Sequence, residues 1–132
     1  MALLDDIGGY IDTNTSFSLG TDLYLSLLPE SPDNCAVLLE DGGSSPVFTM
    51  GSVNIPQMER PELQIIVRNT SYTTGRALAD ELFRLLTAIS NEDINGVLYQ
   101  RIEAIASPAL YERDDNRRSL FTVNFTVVRD LP

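Results

Sequence analysis

The 132-residue sequence lacks histidine, lysine and tryptophan altogether. Without histidine, the Ser-His-Asp and Cys-His nucleophile systems cannot be built, and histidine metal sites are excluded. Without lysine, there is no Walker A loop, no Schiff base and no lysine general base. These absences remove whole reaction classes, so we expect a protein with no catalytic residues, no cofactor and no bound metal.

Cysteine is nearly absent as well. The single cysteine, Cys35, excludes an internal disulfide, and its place in a strand-like run predicts a small buried thiol. No apolar run approaches the roughly 20 residues that a membrane-spanning helix needs. The first residues, MALLDDIGG, carry two acids and no basic residue, unlike a signal peptide. We therefore expect a soluble protein that is made in the cytoplasm and has no membrane partner.

Positive charge is scarce. The sequence has nine arginines and 19 acidic residues, which gives a formal net charge of −10. Because DNA binding rests on neutralising phosphates, this balance disfavours a sequence-reading DNA-binding protein. It is compatible with an acidic ring through which DNA slides without adhering.

The residues that are present predict one domain, 1–132. Two alternating runs, 22–28 and 34–40, predict strands. The stretch LPESPDN between them contains Pro29 and Pro32, which force extended backbone. Side chains of the Asp-Asn pair that follows can bond to the loop backbone. We predict a rigid hairpin loop.

The next segment, 41–61, is rich in glycine, serine and proline, and predicts a long loop. It also contains more apolar residues than a solvated linker would hold: Val47, Phe48, Met50, Ile55 and Met58. Two interpretations remain open, a short core strand around 47–50 and an arm that binds a partner.

The remaining patterns complete the fold class. Apolar residues at helical spacing predict a short helix over 2–13 and a longer helix with a stripe from Leu78 to Ile89. Alternation predicts further strands, which are 62–68, 97–105 and 119–129. We predict an α+β fold in which a mostly antiparallel sheet of four to five strands packs against two helices, with a long loop between strands.

One acidic cluster could support enzyme chemistry. Asp114 and Asp115, with Glu112 nearby, could hold Mg²⁺ as in some nucleases. Arginines interleave with these acids, however, and the run ERDDNRR favours a solvated, self-paired turn.

Three stretches, in this order, resemble the tail terminator and minor capsid proteins of long-tailed bacteriophages. They are GTDLYLSLLPESPDNCAVLLEDGG (20–43), PELQIIVRNTSYTTGRALADELFRLL (61–86) and ERDDNRRSLFTVNFTVVRD (112–130). The resemblance implies a virion protein that forms a homohexameric ring on the tail tube, stops tube polymerisation and joins the tail to a head-completion or connector protein. The alternatives are a neck protein that closes the portal and a small metal-dependent nuclease.

The resemblance also suggests which residues meet partners. A ring that docks on other rings uses stiff rim loops and apolar contacts, and our candidates for the partner interface are Pro29, Pro32, Asp33, Val47, Phe48, Met50 and Ile55. Genomic DNA would pass through the ring without specific binding, and our candidates for facing that channel are Glu40, Asp41 and Glu59. These acids could instead serve only to keep the outer surface soluble.

Overall fold

The computed structural model describes residues 2–47 and 58–130, and within these ranges the chain forms two α-helices and seven β-strands. The elements are α1 Leu3–Asn14, β1 Leu23–Leu25, β2 Cys35–Val47, β3 Met58–Asn69, α2 Tyr72–Thr87, β4 Ser90–Ile94, β5 Val97–Ala104, β6 Ala109–Arg113 and β7 Ser119–Asp130. The α+β class is confirmed, and the predicted count of four to five strands is too low.

All seven strands belong to one sheet with the order β1-β2-β3-β7-β5-β4, and β6 also pairs with β7. Strand β3 pairs with β7 along nearly its whole length, so β5 and β6 share the other edge of β7. Every pair is antiparallel except β1 with β2.

The core lies between one face of this sheet and the two helices. The strand predicted over 119–129 is confirmed as β7, and its inward residues are all fully buried: Phe121, Val123, Phe125 and Val127. The alternate residues of β7, such as Thr122 and Asn124, are half-buried on the face that neither helix covers.

Helix α2 is capped by Ser71, whose hydroxyl accepts a hydrogen bond from the Thr74 amide at 3.3 Å. Its buried face is narrower than the predicted leucine stripe, and consists of Gly75, Ala79, Leu82 and Leu86. Leu78 and Leu85 are only partly buried against the core. Gly75 is required at the sheet, because a Cβ there would lie 2.7 Å from the Phe121 ring.

The predicted hairpin between the first two strands is wrong, because β1 runs parallel to β2. Ser26 adopts a positive φ of 66° and donates its amide to Leu38, which ends β1 after three residues. The chain then returns to the start of β2 through residues 26–34, which we call the acidic loop. A connection this short suffices because β1 spans only about 10 Å.

The predicted loop 41–61 is wrong at both of its ends, and its middle, 48–57, lies outside the described residues. β2 continues to Val47 and β3 begins at Met58, so paired strand extends well into this segment. Two register shifts absorb the irregular sequence, and Gly43 lies within the first, between Asp41 and Ser44. Its φ is 90°, and a Cβ there would collide with the Arg60 carbonyl. The predicted contact residues Phe48, Met50 and Ile55 lie outside the described residues.

Two strands were not predicted at all. The charged turn between the last two predicted strands contains β6, all of whose residues are exposed. β4 follows α2, forms the edge of the sheet beside β5, and is mostly polar. Both are edge strands that bury almost nothing, so they carry no apolar alternation that would predict them.

Candidate functional site

The acidic loop is fixed to the sheet by a buried arginine. Arg68, near the end of β3, is the cross-strand partner of Cys35. Its guanidinium donates to the carbonyl oxygens of Pro32, at 2.7 Å, and Asp33, at 3.2 Å. The side chain of Asn34, the last residue of the loop, accepts a hydrogen bond from the Thr70 amide at 2.9 Å. The loop is thus tied to β3 and to the start of α2.

A second buried arginine ties the same loop to the turn before β7. Arg118 is 4% exposed and donates from Nε to Asp114 at 2.7 Å. Its other nitrogens reach the Glu30 carbonyl at 2.6 Å, the Asp33 carboxylate at 3.2 Å and the Glu30 carboxylate at 3.4 Å. One guanidinium therefore joins two segments that are more than 80 residues apart in the chain.

The charges at this junction stabilise one another. Desolvation would raise the pKa of Asp114, but hydrogen bonds from the Arg118 backbone and side chain, and its positive charge, hold that pKa below the usual value. Desolvation would likewise lower the pKa of Arg118, and its bonds to Asp114 and Glu30 raise it instead. Both groups are thus held in their charged forms, and the junction persists at neutral pH.

The result is a rigid rim at one end of the sheet, formed by the acidic loop and residues 114–118. On this rim Pro32 and Asp33 are exposed and Pro29 is half-buried. The sequence predicted a stiff loop from its prolines but missed the two arginines that hold it. No local pattern signals this role, because the loop atoms that Arg68 and Arg118 bind lie 35 and 88 residues away in the sequence.

A separate polar network lies at the opposite end of the sheet. Tyr99, Arg129 and Glu59 are aligned across β5, β7 and β3 as successive cross-strand partners. Arg129 donates to Glu59 and, at 2.9 Å, to the Tyr99 hydroxyl, which in turn donates to the fully buried Asp6 of α1 at 2.6 Å. Asn95 donates to the other Asp6 oxygen at 2.8 Å. This network locks α1 onto the sheet.

The three acids proposed to face a channel therefore differ. Glu59 is half-buried and bound by Arg129, so its charge is compensated within the subunit. Glu40 and Asp41 are exposed and line an open groove of about 470 Å³ with Gly42 and Pro61. The structure brings these two acids together and leaves them facing solvent.

The nuclease alternative would place a metal ion on Asp114 and Asp115, with Glu112 nearby. The Asp114 carboxylate accepts hydrogen bonds from the Arg118 side chain and from the backbone amides of Asn116 and Arg118. Within residues 2–47 and 58–130, no three histidine, cysteine or acidic side chains are placed so that they could hold a metal ion. A cleft of about 430 Å³ between α1 and β4 has acidic walls, which include Asp6 and Glu92, but it offers no such group either. Over the same ranges, no helix is both long enough and apolar enough to cross a membrane.

No curated protein matches this chain. A family model described as "Bacteriophage tail terminator protein" matches residues 10–131, which is nearly the whole chain and includes the acidic loop, α2 and the closing strand β7. This is a family of structural phage tail proteins and not of enzymes. The chain belongs to the bacteriophage tail terminator protein family.

Proposed function

We propose that this protein assembles into a ring, a hexamer by the family resemblance, at the head-proximal end of the phage tail tube. There it stops tube polymerisation and joins the tail to the head-completion protein. The observation that carries the proposal is the family match over residues 10–131. As a structural component of the virion, the protein would be made in the host cytoplasm and incorporated during tail assembly.

The rim supports this proposal. A protein that docks on another ring loses less entropy if its contact loops are already ordered. Arg68 and Arg118 provide that order in the free subunit, since both are satisfied by the chain itself. The exposed Pro32 and Asp33 are then presented in one conformation to the tail tube protein or to the head-completion protein.

The charge balance supports a ring through which DNA passes. With net charge −10, a subunit repels phosphate over most of its surface. Glu40 and Asp41 are our candidates for the channel lining because they are exposed and adjacent. Glu59 would contribute less, since Arg129 compensates its charge.

Electron microscopy tests the proposal. The purified protein, alone and mixed with tail tubes assembled from the tube protein, should form rings, and these rings should cap one end of each tube. Tubes polymerised in its presence should stop growing, whereas tubes without it should continue to elongate. Binding to the head portal instead of the tube would favour the neck-protein alternative, and absence of rings in every mixture would refute the proposed function.

A further inference from the structure

The outer edge of β6 is open. β6 pairs only with β7, and all of its residues are exposed, so one side of its backbone meets no other strand of the described chain. The β1 side of the sheet differs, because the amide and carbonyl of Leu23 are already bonded to Ser18 and Gly20. Unpaired backbone groups along a strand edge can pair with a strand from another chain.

Large apolar side chains surround this edge. Leu110 and Tyr111, both on β6, are exposed, and 61% of the Tyr111 surface meets solvent. Tyr72, the first residue of α2, is also exposed. Its ring packs against Phe121, the cross-strand partner of Leu110, with ring centroids 5.5 Å apart. Large apolar side chains that are grouped on a surface are typical of a contact with a partner.

The helix-covered face of this edge carries a positive charge. Leu110 is opposite Phe121, which belongs to the core, so Leu110 lies on the face of the sheet that the helices cover. Arg113 is opposite Ser119, two residues before Phe121, and therefore lies on the same face. Glu112 lies on the other face. The exposed Arg113 side chain makes no hydrogen bond or ion pair with the described residues.

The acids near Arg113 leave its charge uncompensated. The first turn of α2 contains no acidic residue, and Asp80 on the second half of that helix is paired with Arg76 at 3.6 Å. In the turn after β6, Asp114 is bound by Arg118, and Asp115 makes no ion pair with Arg113 in the described structure. Arg113 therefore presents a positive charge to a molecule that binds this edge.

The edge also disfavours strands that do not match it. The pairing of β6 with β7 shifts register between Leu110 and Glu112, so Tyr111 is an extra residue in a bulge. A bulge and a charged side chain on an edge both discourage indiscriminate strand pairing. A strand that matches this edge has to place an acidic side chain beside Arg113 and an apolar side chain beside Leu110, on the same face.

We propose that the β6 edge binds an extended segment of another protein, which adds a strand to the sheet and places an acidic side chain beside Arg113. In this binding mode the backbone hydrogen bonds give affinity and the side-chain contacts give specificity. A second copy of this chain suits the edge less well, because it would bring a net charge of −10 with it. The proposal does not depend on the proposed ring, and it assigns a further binding surface to the subunit.

Selection from a library of random ten-residue peptides tests the proposal on the purified full chain. The enriched peptides should carry an aspartate or glutamate within a run of alternating apolar residues. Arg113→Glu should weaken their binding at least about tenfold, because an attractive contact becomes a repulsive one. Arg84→Glu is the matched control and should leave binding unchanged, since Arg84 is equally exposed and unpaired among the described residues but lies near the other end of α2. Thermal melts of both variants report folding.

Amide hydrogen exchange locates the bound peptide, which should slow the exchange of the outward amides of β6. Peptides that bind both variants equally, that lack an acid, or that leave β6 exchange unchanged would overturn the proposal, as would a library from which no peptide is enriched. Native mass spectrometry of the protein alone tests the other occupant, because an assembly that Arg113→Glu abolishes would assign the edge to a second copy instead. Capping of tail tubes is measured independently, so these outcomes leave the proposed function standing.

Discussion

At the scale of single residues, two arginines and one tyrosine decide how the loops and the first helix are held. Arg118 joins the acidic loop to residues 114–118, and Arg68 joins the same loop to β3. Tyr99 bridges Asp6 and Arg129. In each case a polar group that is costly to bury is fully hydrogen-bonded, and no side-chain polar atom buried in the described residues lacks a partner.

The junction at Asp114 should respond to acid. Its pKa is held below the ordinary value of 3.8, so the ion pair stabilises the fold above that pH, and this stability is lost as the pH falls through the folded-state pKa. Asp114→Asn should therefore be less stable than the wild type at pH 7, and the difference should vanish in strong acid. Denaturant titrations between pH 7 and pH 2 measure this difference.

Asp115→Asn is the control for this titration, because the exposed Asp115 carboxylate makes no hydrogen bond or ion pair in the described structure. Its unfolding curves should follow those of the wild type. A difference between wild type and Asp114→Asn that stays constant down to pH 2 would show that the ion pair does not depend on the charge of Asp114.

The hydroxyl of Tyr99 should matter to stability even though its ring is already buried. Burial and the hydrogen bond to Asp6 raise the pKa of Tyr99, so this hydroxyl stays protonated and donates to the carboxylate. Tyr99→Phe should cost roughly 1–3 kcal/mol of unfolding free energy, because the buried Asp6 loses a donor. Tyr24→Phe, which removes an exposed hydroxyl bonded to Thr21, should change stability by less than about 0.5 kcal/mol. Equal effects from both substitutions would contradict the assigned role of Tyr99.

At the scale of elements, the long strand β7 organises the sheet, because β3, β5 and β6 all pair with it. Its inward face should carry most of its stabilising effect. Phe125→Ala should destabilise the fold by roughly 3–5 kcal/mol, since it opens a cavity in the core. Thr126→Ala, on the half-buried opposite face, should cost much less. Chemical denaturation compares the two, and the reverse order would invert the assignment of the faces.

The same strand shows what the sequence could predict. Strict alternation from Phe121 to Val127 identified β7 and its buried face, because one side of the sheet meets the helices and the other does not. The sequence did not predict that β2 continues beyond residue 40, because Gly42 and Gly43 are typical of a loop. Register shifts in the pairing with β3 let the strand continue past them. The parallel placement of β1 could not be predicted, because apolar alternation indicates a strand but not its direction. No residue pattern indicated the positive φ of Ser26, where β1 ends.

The candidate site was predicted less completely than the fold. Proline content correctly indicated that residues 26–34 form no helix, but local patterns contain no information about contacts with Arg68 and Arg118, which are 35 and more residues away. The loop pattern around Glu59 predicts a residue that can reach a channel, and the strand pairing instead places it opposite Arg129. Long-range polar contacts of this kind arise only when the sheet is assembled.

At the scale of the whole molecule, the subunit has a rigid rim at one end of its sheet and two exposed acids, Glu40 and Asp41, on β2. The net charge of −10 per subunit would give a hexamer a formal charge of about −60, screened over roughly 8 Å at physiological salt.

The channel assignment can be tested in particles. Replacing Glu40 and Asp41 with arginine should leave ring formation intact and slow DNA ejection, because arginine in the channel would grip the passing phosphates. Adding Glu59→Arg extends the replacement to all three predicted channel acids. This third change should also destabilise the subunit, because it places an arginine opposite Arg129. Ejection kinetics from phage carrying the double replacement are the measurement. Normal ejection would place Glu40 and Asp41 away from the DNA path.

The single cysteine can serve as a chemical probe of local unfolding near the rim. Cys35 is 2% exposed, as predicted, and its neighbour across the strands is the Arg68 that holds the acidic loop. Burial raises the pKa of its thiol, against the opposing effect of Arg68, so a thiol reagent at neutral pH should react only when this part of the fold opens. The labelling rate would then record the opening of the rim, and docking of a partner on the loop should slow it. No other thiol in the chain would contribute to the signal.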